Sequence, residues 1–239
     1  MNSLILWGSI IIAASALLQG LSGFGFSILS LPLLSMFLSP KTVVPVLLIF
    51  SMIINVTVII SCWRSFSIHH IWRLLVGGII GLPLGAKLLM ILDDDLLRRG
   101  IGFFVVVFAL LLLTGKRWQL KREKLAQPFI GFLSGIFSGS VGISGPPIIL
   151  FLSNKGVQKD EFRANLAGYF FLINLFTIPV YFYNHLFTKE VVHLTFQFLP
   201  FLLLGVISGA IIAKKIKPEV FSRLVLYLLL ITGILAMVK

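Results

Sequence analysis

Acidic residues are scarce in this chain of 239 residues: eight Asp and Glu stand against twenty Lys and Arg. None of the eight falls in the middle of a long apolar run, which excludes the commonest intramembrane proton relay, a carboxylate held in mid-span. One cysteine, Cys62, excludes an intrachain disulfide and leaves the redox compartment unread. HExxH, CxxC and Walker A patterns are absent as well, so neither a metal nor a cofactor is expected. The acidic triplet Asp93-Asp94-Asp95 has the chemistry to hold a divalent cation, but at the edge of an apolar run a solvated helix cap is the expected role. No polar stretch is long enough to form a separate soluble domain.

What remains is greasy. Hydrophobic residues make up 58% of the chain and charged residues 12%, where soluble domains carry about 25% charged residues. Mean hydropathy is +1.07. The expectation is an all-α polytopic membrane protein in contact with lipid. In a soluble chain the basic excess would suggest nucleic acid, but here the bases lie in short gaps between apolar runs, where they anchor helices to headgroups. No basic face with interleaved aromatics supports nucleic-acid binding. The N-terminus has no basic leader, and its apolar run extends far past a signal-peptide core, so it reads as a retained first helix.

Apolar runs give about eight crossings at the roughly 20 residues each that a bilayer requires. They fall near residues 4–38, 42–62, 71–92, 96–114, 127–153, 164–184, 193–213 and 219–238. Continuous Leu, Ile and Phe without alternation disfavours a transmembrane barrel. The chain also repeats itself. A shift of 119 residues places Gly20 on Gly139, Gly23 on Gly142 and Asn55 on Asn174. A second register of 124 residues aligns Gly81, Gly85, Ala86, Asp95 and Arg99 with Gly205, Gly209, Ala210, Glu219 and Arg223. The expected organisation is therefore a first four-helix repeat over 1–115, a basic linker over 116–126 and a second four-helix repeat over 127–239. Lys and Arg divide 11 against 9 between alternate sides, too evenly to orient the chain. Whether the repeats are parallel or inverted stays open, as does the oligomeric state.

Two stretches interrupt the apolar pattern at matched places. The first, GLSGFGFSILSLP over 20–32, lies in an uncharged run of 35 residues from Leu4 to Leu38. That is too long for one straight span and too short for two with a turn, so a broken helix is expected. The second, SGSVGISGPP over 138–147, ends in Pro146 and Pro147, which cannot continue a helix but can open one. Irregular backbone inside a membrane persists only where it is buried in protein or lines a wet cavity. A half-helix beginning after such a break presents free N–H groups and the positive end of its dipole to an anion. Candidate substrate-binding residues are Gly20, Ser22, Gly23, Gly25 and Ser27 in the first break, and Gly139, Ser140, Gly142, Ser144, Gly145 and Pro146 in the second. Asn55 and Asn174 join them as amides needing partners on the helices that follow. Arg163, opening the sixth crossing, is a candidate entrance charge. The competing explanation of the glycines is close helix packing, which is the expected role of GLPLGA over 81–86 and GVISGA over 205–210. Asp95 and Glu219 are each expected to pair with the Arg four residues on.

Two other functions fit parts of the chain. Gly142-Ile143-Ser144-Gly145 spells GxSG, a serine motif of intramembrane proteases, with His185 and His193 as the downstream histidines. Both histidines lie in or beside a polar loop, and Gly23-Phe24-Gly25-Phe26 in the first half lacks the serine. A structural membrane subunit is the other alternative.

Together, GLSGFGFSILSLP, GIFSGSVGISGPPIILFL over 135–152 and the two four-helix halves resemble the TauE/SafE sulfite exporter-like family, also called the 4-toluene sulfonate uptake permeases. The resemblance covers essentially the whole chain. It implies a multi-pass plasma-membrane transporter, usually prokaryotic, that moves sulfite, sulfonates or related small organic anions with proton coupling. It implies no catalytic activity. The family's glycine signatures fall on Gly20, Gly23, Gly25, Gly139, Gly142, Gly145 and Pro146. Phe24 and Phe26, flanking Gly25, depart from the richer glycine run common in the family and narrow any cavity there. With no carboxylate in mid-span, coupling would use a protonated substrate, residues at the span edges, or the membrane potential alone.

Overall fold

A computed structural model describes residues 2–22, 24–114, 123–155, 158–212 and 230–236. Among these the chain is helical throughout, with no strand. The order is α1 (Asn2–Ser22), α2 (Phe26–Ser35), α3 (Pro40–Cys62), α4 (Ile68–Ile91), α5 (Asp94–Leu113), α6 (Glu123–Val141), α7 (Gly145–Asn154), α8 (Lys159–Tyr183) and α9 (Lys189–Ile212). A short 3-10 turn, Trp63–Ser65, joins α3 to α4, and residues 230–236 are also helical.

Among the described residues, five segments are long and apolar enough to cross a membrane: Pro40–Ser65, Ile68–Ile91, Asp94–Leu113, Asp160–Tyr183 and Lys189–Gly209. They fall on five of the runs expected from sequence. The two longest runs each divide into a pair of helices, α1 with α2 and α6 with α7. α1 has 21 residues, about 31 Å of helix at 1.5 Å per residue, but its apolar part, Ile5–Gly20, is shorter than the five spans. The 10 residues of α2 add about 15 Å. The run at 219–238, with Glu219 and Arg223, lies outside the described residues except for 230–236, as do Gly23 and most of the basic linker. α6 opens at Glu123, four residues ahead of the expected start at 127.

Local chemistry explains the helix ends. Asp93 is the N-cap of α5, accepting the Leu96 N–H at 2.7 Å, and Asp94 and Asp95 lie in the positive first turn. Asp95 pairs with Arg98 at 3.0 Å rather than with Arg99. The same guanidinium donates Nε to the Ser35 carbonyl at 2.7 Å, so Arg98 faces the protein and ties down the last residue of α2. Trp63 and Trp72 are exposed near helix ends, each beside an arginine, Arg64 and Arg73, as interfacial anchors are.

The chain forms two compact units, and each draws on both halves of the sequence. One comprises Met1–Phe50, Leu92–Gly115 and Phe187–Lys239; the other comprises Ser51–Ile91 and Lys116–Leu186. In the first, α1 lies along α9: a Cβ on Gly205 would fall on the Ala13 carbonyl, and one on Gly209 would meet the Leu17 Cα at 2.9 Å. In the second, α4 lies along α6. Gly77, Gly81 and Gly85 face the Pro128, Phe132 and Ile136 carbonyls, while Gly131, Gly135 and Gly139 face the Leu74, Gly78 and Leu82 carbonyls. Contacting residue numbers rise together in both pairs, so each is parallel. A glycine every fourth residue keeps one face bare, letting main chains touch where lipid supplies no hydrophobic drive for association. The packing role expected of GLPLGA and GVISGA is what these helices show, and Gly139 shares it.

A methyl on this seam has no room. Gly135→Ala is expected to destabilise the protein by about 3 kcal/mol, the upper end of overpacking costs, whereas Gly100→Ala, whose Cβ meets nothing within 4 Å, is expected to be neutral or stabilising by up to about 1 kcal/mol. Thermal unfolding in detergent measures both, and equal behaviour of the two variants would refute the seam.

Candidate functional site

Both breaks are made by a glycine in the left-handed region, Gly25 at φ 106° and Gly142 at φ 65°, where a side chain would add strain. After each, the chain folds back along the helix it has left.

At the first break the Phe26 amide, the first of α2, donates to Gln19 Oε1 at 2.9 Å. The Leu29 amide reaches the Gly25 carbonyl at 3.1 Å. Gln19 is buried on the last full turn of α1, so its side chain supplies from α1 an acceptor that α2 lacks at its start. The next two amides, of Ser27 and Ile28, have no acceptor within α2 itself. Phe26 is fully buried and meets Phe50 edge-on, ring centroids 6.3 Å apart. Gly20 is buried in the last turns of α1 and Ser27 is half-buried.

At the second break the Gly142 amide donates to the Ser138 carbonyl at 3.1 Å and the Ile143 amide to the Phe137 carbonyl at 3.3 Å. The connection then runs back far enough for the Ser144 carbonyl to accept the Ser134 hydroxyl at 2.6 Å. Ser134 lies seven residues before the last residue of α6, about 10 Å along the helix. Two tyrosines of α8 complete the arrangement. The Tyr169 hydroxyl donates to Ser134 Oγ at 3.0 Å, and the Tyr181 hydroxyl donates to the Gly139 carbonyl at 2.8 Å. Both rings are fully buried. Ser140 is spent on its own helix, donating to the Ile136 carbonyl at 2.7 Å, and Ser144 is buried. Pro146 and Pro147 open α7 after Gly145 and carry no N–H. The start of α7 is therefore poorer in amide donors than the start of α2.

Asn55 and Asn174 come together. Their side-chain amides donate to one hydroxyl, Ser51 Oγ, at 3.1 and 3.2 Å. Both asparagines are buried and Ser51 is half-buried. Arg163, near the start of α8, is half-buried with Nε unpaired among the described residues. Two residues on, fully buried Asn165 accepts the Ser67 amide at 2.9 Å and so caps α4 from another helix. Sequence reasoning passed over Gln19, Ser51, Ser134, Tyr169 and Tyr181. Gln19 had a readable signal, a lone amide in an uncharged run; the tyrosines had none beyond the polar tip that a buried ring must satisfy.

The family model for sulfite exporter TauE/SafE matches residues 8–236. The chain belongs to that family. No curated protein and no solved structure matches it. As a TauE/SafE protein with five helices among the described residues apolar enough to cross a bilayer, it is a multi-pass membrane protein of a transporter family.

Removing a side chain that pairs a buried main-chain group leaves that group's desolvation uncompensated, at about 1–3 kcal/mol. Gln19→Leu and Tyr181→Phe are each expected to destabilise the folded protein by that amount in thermal unfolding, while Ser140→Ala, which removes only a bond within one helix, is expected to fall within about 0.5 kcal/mol of the parent.

Proposed function

We propose that this TauE/SafE protein is a secondary transporter of small anions, sulfite, sulfonates and related organosulfur or carboxylate anions, in the plasma membrane of a prokaryote. The observation that carries the reading is the family match over nearly the whole chain. The structure adds chemistry suited to it. The start of α2 offers the Ser27 and Ile28 amides at the positive end of a helix, the arrangement that favours an oxyanion, with the Ser27 hydroxyl beside them. Asn55 and Asn174 add a buried cluster of amides, and Arg163 is the entrance charge that would draw an anion in. The second break, over Gly139, Ser140, Gly142, Ser144, Gly145 and Pro146, is the matching stretch of the other half, as Ser22 and Gly23 belong by sequence to the first.

In this reading the chain is a duplicated unit. α2 and α7 are both 10 residues long and begin 119 residues apart, at Phe26 and Gly145. α1 is seamed to α9 as α6 is seamed to α4, so each break-bearing helix rests on a glycine-faced helix from the other copy. Eight crossings in two four-helix repeats is the arrangement that results, and repeats of this kind are the usual construction of secondary transporters.

Purified protein in liposomes is expected to take up radiolabelled sulfite or a small sulfonate. Gly142→Leu is expected to lose uptake while eluting as folded protein, because leucine resists the left-handed turn. A panel of sulfur oxyanions and carboxylates giving no flux above empty vesicles would overturn the substrate class.

A further inference from the structure

Ser51 has a hydrogen-bonding pattern that differs from that of Ser30, Ser61 and Ser140. Ser30, Ser61 and Ser140 each donate their proton to a carbonyl of their own helix, Phe26, Val58 and Ile136. Ser51 makes no such bond among the described residues. Its oxygen instead accepts two N–H groups, from Asn55 one turn along α3 and from Asn174 on α8. A hydroxyl has two acceptor sites and one proton. With both lone pairs engaged by amides, the O–H must point away from Asn55 and Asn174. The asparagines are buried while Ser51 is half-buried, which leaves the O–H free to turn away from them toward a ligand.

Depth fits a ligand site. Ser51 lies eleven residues after Pro40, the start of its span, and Asn174 fourteen after Asp160. These are about 16 and 21 Å along helices that cross a hydrocarbon layer of about 30 Å. A polar cluster at that depth faces protein or a water-filled cavity rather than lipid. The two asparagines are also the pair related by the 119-residue shift. Equivalent residues that meet on one atom lie beside the axis relating the two copies, and in transporters built from repeats the substrate site is at the repeat interface near the midplane.

We infer that Ser51 is the hydroxyl that donates a hydrogen bond to the transported oxyanion, with Asn55 and Asn174 as positioning residues that fix its proton outward. This rests on the transport reading above and names a contact within it. An oxyanion offers only acceptors, so an outward O–H suits it, and no fixed charge is needed at mid-depth.

Two measurements test the inference. In liposomes, Ser51→Ala is expected to raise KM for sulfite or the best-transported sulfonate at least ten-fold, and Ser51→Thr, which keeps the hydroxyl, to stay within about three-fold of the parent. In a cysteine-free Cys62→Ala background, Ser51→Cys is expected to react with the membrane-impermeant anion 2-sulfonatoethyl methanethiosulfonate, more slowly when the transported anion is present. An unchanged KM in a folded, active Ser51→Ala, or a Ser51→Cys that does not react, overturns the role of Ser51 and leaves the transport reading standing. A parent protein that moves none of the anions in the panel overturns both.

Discussion

Main-chain polar groups freed inside an apolar environment have to find partners, and most of the polar chemistry in this protein follows from that requirement. Two left-handed glycines, Gly25 and Gly142, end helices that would otherwise pair their own amides and carbonyls. An unpaired group in hydrocarbon costs several kcal/mol, so side chains supply what the helices no longer can. Gln19 takes the first amide of α2, Ser134 reaches the Ser144 carbonyl, and Tyr181 reaches the Gly139 carbonyl. Tyr169 in turn occupies Ser134 and thereby holds its hydroxyl in place. Each partner is buried, which shields these hydrogen bonds from competition with water.

Such a requirement could not be met on a loose scaffold. A hydroxyl on α8 reaches a carbonyl on α6 only if the helices keep a fixed register, and the glycine seams set that register. Gly77, Gly81 and Gly85 bring the backbone of α4 against α6 while Gly131, Gly135 and Gly139 do the converse. The helix carrying the break is thus clamped along its length before its end is shaped. Gly139 belongs to both devices: its α-carbon is a seam residue and its carbonyl accepts Tyr181.

Hydropathy made the helices legible because α3, α4, α5, α8 and α9 are long, predominantly apolar runs with their charges mostly near the ends, and their length implies a membrane. The breaks were legible for a different reason: Gly25, and Gly142 followed by two prolines, mark places where an L-residue helix cannot continue. That the chain folds back after each break was not legible, since the 35-residue run fits a kinked single span equally well without three-dimensional contacts. The partners were the least legible, because Gln19, Ser134 and Tyr181 act through distances set by packing. Asp95 shows the limit at short range. Arg98 and Arg99 are both near enough in sequence to pair with it, and the choice of Arg98 follows from its second bond to Ser35.

The absence of acids from mid-span and the reliance on neutral donors are two sides of one electrostatic constraint. A buried guanidinium would bind an anion firmly, but an ion pair taken out of water carries a desolvation penalty of several kcal/mol per ion, and losing one partner leaves the other charge stranded. A carrier must empty its site in every cycle, so a stranded charge would oppose release. Hydroxyl and amide donors contribute about 1 kcal/mol net apiece and are satisfied by water when the ligand leaves. On the transport reading proposed above, Ser51 between Asn55 and Asn174 would be a donor of this kind, and Arg163 stands near the start of α8, outside the middle of the span, where water can solvate it in either state.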